Sequence, residues 1–136
     1  MFFVLDRYFK FLSINLEEDF YLLKDVLKFT FYPNKFISFS IPFSGVILNL
    51  LIFFLIVIVF LNIVYLAKKE IKIEIFFWLA IFLGAVSNFI DRIRFSFVVD
   101  YIEFFGLSVF NLADVMIVVG CFFVILLNFK RNKKSN

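Results

Sequence analysis

Apolar positions in this chain come in long runs, and charged residues mark their ends. The clearest run is 36–67, which carries no charge. A membrane-spanning helix needs about 20 apolar residues, and 47–67 supplies them, with Pro42 and Gly45 just before. A second charge-free interval, 75–90, lies between Glu74 and Asp91, and a third, 115–129, follows Asp114. At 1.5 Å per residue the second reaches roughly 24 Å, and the third is about as short. Both are expected to end just inside one interface and to hold polar residues at the same membrane depth. The opening segment, MFFVLDRYFKFLSIN, is apolar around Asp6, Arg7 and Lys10. A full span would need about ten more residues before Asp6, so it is expected either as half a helix or as the remainder of a longer, truncated one. No small-residue cleavage site follows it, which argues against a cleaved signal peptide. The pattern predicts one domain, 1–136, with helices over roughly 1–16, 44–67, 74–92 and 110–130.

Composition says what solvent these runs need. Hydrophobic residues make up 64% of the 136 positions, 25 of them Phe, against roughly 45–50% in soluble domains. A soluble fold of this size has too little interior for so much apolar surface. An integral membrane protein with lipid as its surroundings is expected. The net charge of +3 is small and forms no basic stripe, so nucleic acid is not expected as a partner. Cys121 is the only cysteine and there is no histidine. Intramolecular disulfides and histidine triads are excluded, and neither a metal nor a cofactor is expected.

Lys and Arg orient the spans. KKEIK at 68–72 and KRNKK at 130–134 are the two dense basic stretches. Two spans separate them, so both face one side, the cytoplasmic one. The acid-rich stretches 17–25 and 91–114 then face outward, which gathers Asp91, Asp100, Glu103 and Asp114 at the outer surface.

Carboxylates at a lipid boundary are costly, about 2.5–3.5 kcal/mol each on insertion scales, and are functional candidates for that reason. Asp100, in FVVDYIEF, and Asp114, in FNLADV, both flank apolar stretches. Two carboxylates brought close share a proton. One can then activate water while the other protonates the carbonyl or leaving group. Such aspartic-protease chemistry needs no His, Cys or metal. A second reading stands beside it: Asn111 and Asp114 are three residues apart, as an N-cap and an acid in the positive first turn of a helix would be. In GAVSNFIDRIR, Gly84, Asn88, Asp91 and Arg92 fall on one helix face, which must point into the protein or a wet cleft. The alternative is a plain Asp91–Arg92 surface pair. Gly84 would admit a neighbouring helix.

The ordered blocks GAVSNFIDRI, FVVDYI and FNLADVMIVVG resemble lipoprotein signal peptidase (signal peptidase II). The match takes in Gly84, Asn88, Asp91, Arg92, Val98, Asp100, Tyr101, Phe110, Asn111, Ala113, Asp114, Ile117 and Gly120. LDRYFK resembles that family's first-helix motif at Asp6 and Lys10, and YPNKFISFSIP its outer-loop motif at Asn34, Phe39 and Ser40. The resemblance implies a four-helix transmembrane bundle with both termini cytoplasmic and a small extracytoplasmic β-rich cradle after helix one. It implies an enzyme of the bacterial cytoplasmic membrane that cuts lipid-modified prolipoproteins just before the diacylglyceryl cysteine; the sequence leaves the oligomeric state open, with a monomer expected. It makes Asp100 and Asp114 the catalytic pair. Asn34, Asn88, Asp91, Arg92 and Asn111 would organise site or substrate, and Asp6, Lys10, Gly84 and Ala113 would support them. This chain departs from the family pattern at Ser87 (usually Gly), at Phe36 and Ile37 (Gly and Ala), at Arg7 (Gln) and in its short first helix. Two rival readings are a catalytically inactive homologue that still binds lipoprotein precursors and a small non-enzymatic membrane protein. A different intramembrane aspartyl protease is disfavoured, since the sequence has no Gly-x-Gly-Asp motif.

Overall fold

The first helix, α1 (Phe2–Ile14), is built inside out. It buries Asp6, Lys10 and Ser13 and turns Phe2, Val4, Tyr8 and Phe11 outward. A soluble amphipathic helix does the reverse. In lipid this arrangement is the stable one, because polar groups need partners inside and apolar ones do not. The computed structural model describes residues 1–24, 26–35 and 45–135. Phe36, Ile37, Ser38, Phe39, Ser40, Pro42 and the expected helix start at 44 lie outside the described residues.

Three further helices follow: α2 (Val46–Lys68), α3 (Lys72–Phe95) and α4 (Leu112–Ser135). Three stretches are long and apolar enough to cross a membrane: Val46–Lys68, Lys72–Phe95 and Leu112–Arg131, with mean hydropathies of 3.1, 2.0 and 2.5. α1, at 13 residues, extends about 20 Å, short of a hydrocarbon core of about 30 Å. α3 lies between α2 and α4, and α1 packs on α3 and α4. A glycine on each of α3 and α4 sets their close approach. A Cβ on Gly84 would stand 2.6 Å from the Ala113 carbonyl oxygen, and one on Gly120 would stand 2.9 Å from that of Phe77. Small residues let helix backbones meet in this way where no hydrophobic effect drives them together.

The remaining elements form one antiparallel sheet in the order β1 (Phe20–Leu23), β2 (Leu27–Asn34), β3 (Val98–Phe104), β4 (Ser108–Phe110). The β-structure was expected after the first helix. Only half of it is there, because β3 and β4 come from the acid-rich segment between α3 and α4. That segment is a hairpin whose strands are joined by residues 105–107, with Phe105 and Gly106 both at positive φ and the Leu107 N–H bonded back to the Phe104 carbonyl at 3.0 Å. β4 also delays α4, which begins at Leu112 rather than 110. At the other end, α3 runs past 92 to Phe95 and stops where Ser96 enters the left-handed region.

In the β2–β3 pairing, Tyr32 lies opposite Asp100 and Asn34 opposite Val98. Lys28 pairs with Asp19 at 3.1 Å and with Glu103 at 2.7 Å. These two partners raise its pKa above the ordinary lysine value, chiefly through the bond to Glu103. Glu103 thus serves the sheet, apart from the three aspartates with which it was expected to cluster.

Candidate active site

The start of α4 collects side chains from the rest of the chain. A helix leaves its first N–H groups without intrahelical partners, and here three elements supply them. The Leu112 N–H donates to the Tyr101 hydroxyl at 3.1 Å, that of Ala113 to Asp6 Oδ1 at 3.1 Å, and that of Asp114 to Asn111 Oδ1 at 2.9 Å. Asp114 Oδ2 in turn accepts the Asn111 N–H at 3.3 Å. The N-cap geometry read from the spacing is therefore present, and it leaves the second oxygen of Asp114 to another partner. That partner is Asn88, whose Nδ2 donates to Asp114 Oδ1 at 2.7 Å.

Asp100 reaches the same point from β3. Its side chain is fully buried. Asn111 Nδ2 donates to Oδ1 at 2.6 Å and Asn34 Nδ2 to Oδ2 at 2.8 Å. Burial pushes the Asp100 carboxyl up to about 7; the Asn34 bond opposes this, the charge of Asp114 adds to it, and Asn111 opposes it again. Asn111 thus bonds both aspartates, one through its amide and the other through the cap. Each carboxylate holds two polar partners.

Behind the two acids lies a layer of charge. Lys10 is buried and its ammonium donates to Asn88 Oδ1 at 2.8 Å, Asp91 Oδ2 at 2.8 Å and Asp6 Oδ2 at 3.2 Å. Asp6 also accepts from Ser87 Oγ at 2.6 Å and from the Tyr101 hydroxyl at 3.0 Å. Burial first, then the Asp6 charge, holds the Tyr101 hydroxyl above its ordinary pKa. Asp91 pairs with Arg7 as well and accepts the Val99 N–H at 3.2 Å. It is fully buried, which overturns the reading of Asp91 and Arg92 as a surface pair. Half-buried Arg92 lies in the field of Asp100, Asp114 and Asp91. Among the described residues no buried side-chain nitrogen or oxygen lacks a partner, as a polar layer in an apolar surround requires.

Asp100, Asp114, Asn34, Asn88 and Asn111 therefore share one hydrogen-bonded cluster, and Asp6, Lys10 and Asp91 join it through Asn88. Gly84 and Ala113 touch where α3 meets α4. Sequence reasoning missed Ser87 and Arg7, which appeared only as departures from a pattern. In space they touch: Arg7 Nη1 donates to the Ser87 carbonyl at 3.2 Å and lies 3.4 Å from its hydroxyl. Ser87 stands one turn before Asp91 and three residues after Gly84, so helical periodicity could have found it.

Residues 1–130, nearly the whole chain, match the family described as Signal peptidase (SPase) II. The protein belongs to the signal peptidase II family. The lipoprotein signal peptidase of Halothermothrix orenii is 34% identical over 121 residues, covering 89% of this chain and 83% of the relative. That of Pelagibacter ubique is also 34% identical and covers 98% and 87%. Two solved bacterial membrane enzymes share the fold. One superposes with a TM-score of 0.79 at 24% identity, covering 99% of this chain and 87% of its own. The other does so at 0.74 and 25%, covering 95% and 88%. As a signal peptidase II family member the chain is a membrane protease.

Proposed function

We propose that this protein is an aspartic endopeptidase that removes the signal peptide from lipid-modified prolipoproteins, just before the diacylglyceryl cysteine. Asp100 and Asp114 are its catalytic pair. The observation that carries the reading is that a fully buried carboxylate from β3 and a half-buried one from the first turn of α4 flank one asparagine, with Asp100 in the field of Asp114. One member ionised and one protonated is the state such a pair adopts. The ionised carboxylate takes a proton from water as the water attacks the scissile carbonyl. The protonated one gives its proton to the carbonyl oxygen; as the tetrahedral intermediate collapses, the first carboxylate passes the proton it took from water to the departing amide nitrogen, and the second regains its proton from a hydroxyl of the new carboxyl group. Asn34, Asn88 and Asn111 hold the carboxylates in position, and Lys10, Asp6, Asp91 and Arg92 hold the asparagines and the surrounding charge.

The basic ends of α2 and α4 support a topology with both termini in the cytoplasm, by the positive-inside rule. The α3–β3 and β4–α4 junctions, with the dyad, then stand at the outer face. There a four-helix transmembrane bundle with its sheet as an extracytoplasmic cradle, in one domain over 1–136, meets a substrate whose own acyl chains fix its depth. The reading takes the protein as a monomer.

The test is a gel-shift assay on a lipid-modified precursor with purified wild type, Asp100→Asn and Asp114→Asn. The wild type is expected to process it. Each variant is expected to lose at least about 10²-fold in rate, the low end of what a positioned acid or base supplies, while still inserting in membranes. Near wild-type processing by either variant would reject the dyad, and no processing by the wild type would favour a non-enzymatic role.

A further inference from the structure

A polar cavity lies at the other end of the helices from the aspartates. Glu74 and Asp91 bracket α3, about 25 Å apart along its axis. Around Glu74 a cavity of about 420 Å³ opens between the C-terminal ends of α2 and α4 and the start of α3. Asn62, Tyr65, Lys69, Trp78, Asn128 and Arg131 line it. Its size lies within the roughly 300–1,000 Å³ typical of small-molecule sites. The peptidase chemistry uses none of these residues.

From this geometry we infer that the cavity binds the headgroup of an anionic phospholipid, the phosphodiester lying between Lys69 and Arg131. Arg131 is held in place from two sides: Nη1 donates to Glu74 at 2.9 Å and Nη2 to Asn128 at 2.8 Å. Those bonds engage two of the five guanidinium donors. Glu74 is buried, so its charge is spent on Arg131. Lys69 stands over the Tyr65 ring, its ammonium 4.7 Å from the centroid, and among the described residues it has no carboxylate partner. The lining therefore carries one more positive charge than negative.

Its position suits the same ligand. The cavity adjoins the basic runs 68–72 and 130–134, at the level where Tyr and Trp mark a membrane interface. Basic pockets between spanning helices on that side are where lipid phosphates bind. Asn62 supplies an amide for a glycerol hydroxyl, Asn128 holds Arg131 while donating to the Val124 carbonyl at 3.0 Å, and the rings of Tyr65 and Trp78 cover the first carbons of the acyl chains. A basic peptide segment would meet like charge here and is disfavoured. The inference rests on the membrane setting and is independent of the catalytic reading.

Native mass spectrometry of the detergent-purified full chain tests it, with phosphatidylglycerol, phosphatidylcholine or inorganic phosphate added. The wild type is expected to retain one phosphatidylglycerol in preference to phosphatidylcholine, and excess phosphate should not displace it. Lys69→Gln, an exposed substitution, is expected to lower retention about fivefold, the worth of one basic residue at a membrane surface. Glu74→Gln with Arg131→Gln, which removes the buried pair together, is expected to lower it at least as far. Equal retention of the two lipids, displacement by phosphate, or unchanged retention in Lys69→Gln would each overturn the proposal. Precursor cleavage by Lys69→Gln in detergent should match the wild type, so failure here is separable from failure of the dyad.

Discussion

Replacing Asn34 with Ala should move the pH dependence of cleavage upward. Asp100 has its carboxyl raised to about 7 mainly by burial, and the Asn34 amide is the strongest influence acting against that rise. The amide donates at 2.8 Å to Oδ2 and favours the ionised form. Hydrogen bonds to charged groups contribute about 1.5–3 kcal/mol. Asn34 is only half-buried, so water can replace part of the bond and the low end applies. At 1.36 kcal/mol per pKa unit, the loss is worth about one unit. The sign follows from the role: the pair needs one protonated member, so rate falls as pH rises through the higher pKa. Without the Asn34 bond the ionised form is less stable, the proton stays on longer, and the alkaline limb shifts from about pH 7 to about pH 8. The assay is precursor cleavage between about pH 5 and 9, each profile normalised to its own maximum, since Asn34→Ala also lowers the absolute rate. A limb that stays in place or moves to lower pH would show that Asp100 does not set it, and the argument from burial and hydrogen bonding would fail.

Two stability predictions accompany this one. Lys10→Met should cost about 3–5 kcal/mol by leaving Asp6 and Asp91 buried with one fewer counter-charge; thermal unfolding in detergent measures it, and a loss below about 1 kcal/mol would mean the layer is not held by that ammonium. Gly84→Val should cost about 1–3 kcal/mol through overpacking, since even its Cβ would stand 2.6 Å from the Ala113 oxygen. It should lower cleavage as well, because Ala113 adjoins Asp114; an unchanged melting temperature would show that α3 and α4 can separate there without loss.

Much of this was legible in the sequence because lipid imposes a strict code. Charge-free intervals predicted the three long helices, and the ordered blocks that resemble the family implied that Asp100, Asn111 and Asp114 share one site. The β3–β4 hairpin was not legible. Val98 to Tyr101 are buried without interruption, so the period-two alternation that betrays a strand is missing. Phe20–Leu23 fails in the opposite way, with all four residues exposed and only an apolar run to read. The pairing of Arg7 with Ser87 was hidden for a different reason. Each residue departs from the family pattern on its own, and only the packing of α1 on α3 shows that one departure meets the other.

The buried polar stripe of α1 has a consequence for biogenesis. Asp6 and Lys10 can pair with each other as soon as the first turns form, being one helical turn apart. Arg7, in contrast, finds its counter-ion 84 positions later. Until α3 has been made, α1 carries a net cation that no later span has yet arrived to neutralise. Its fully paired seat in the bilayer therefore exists only once α3 has joined it.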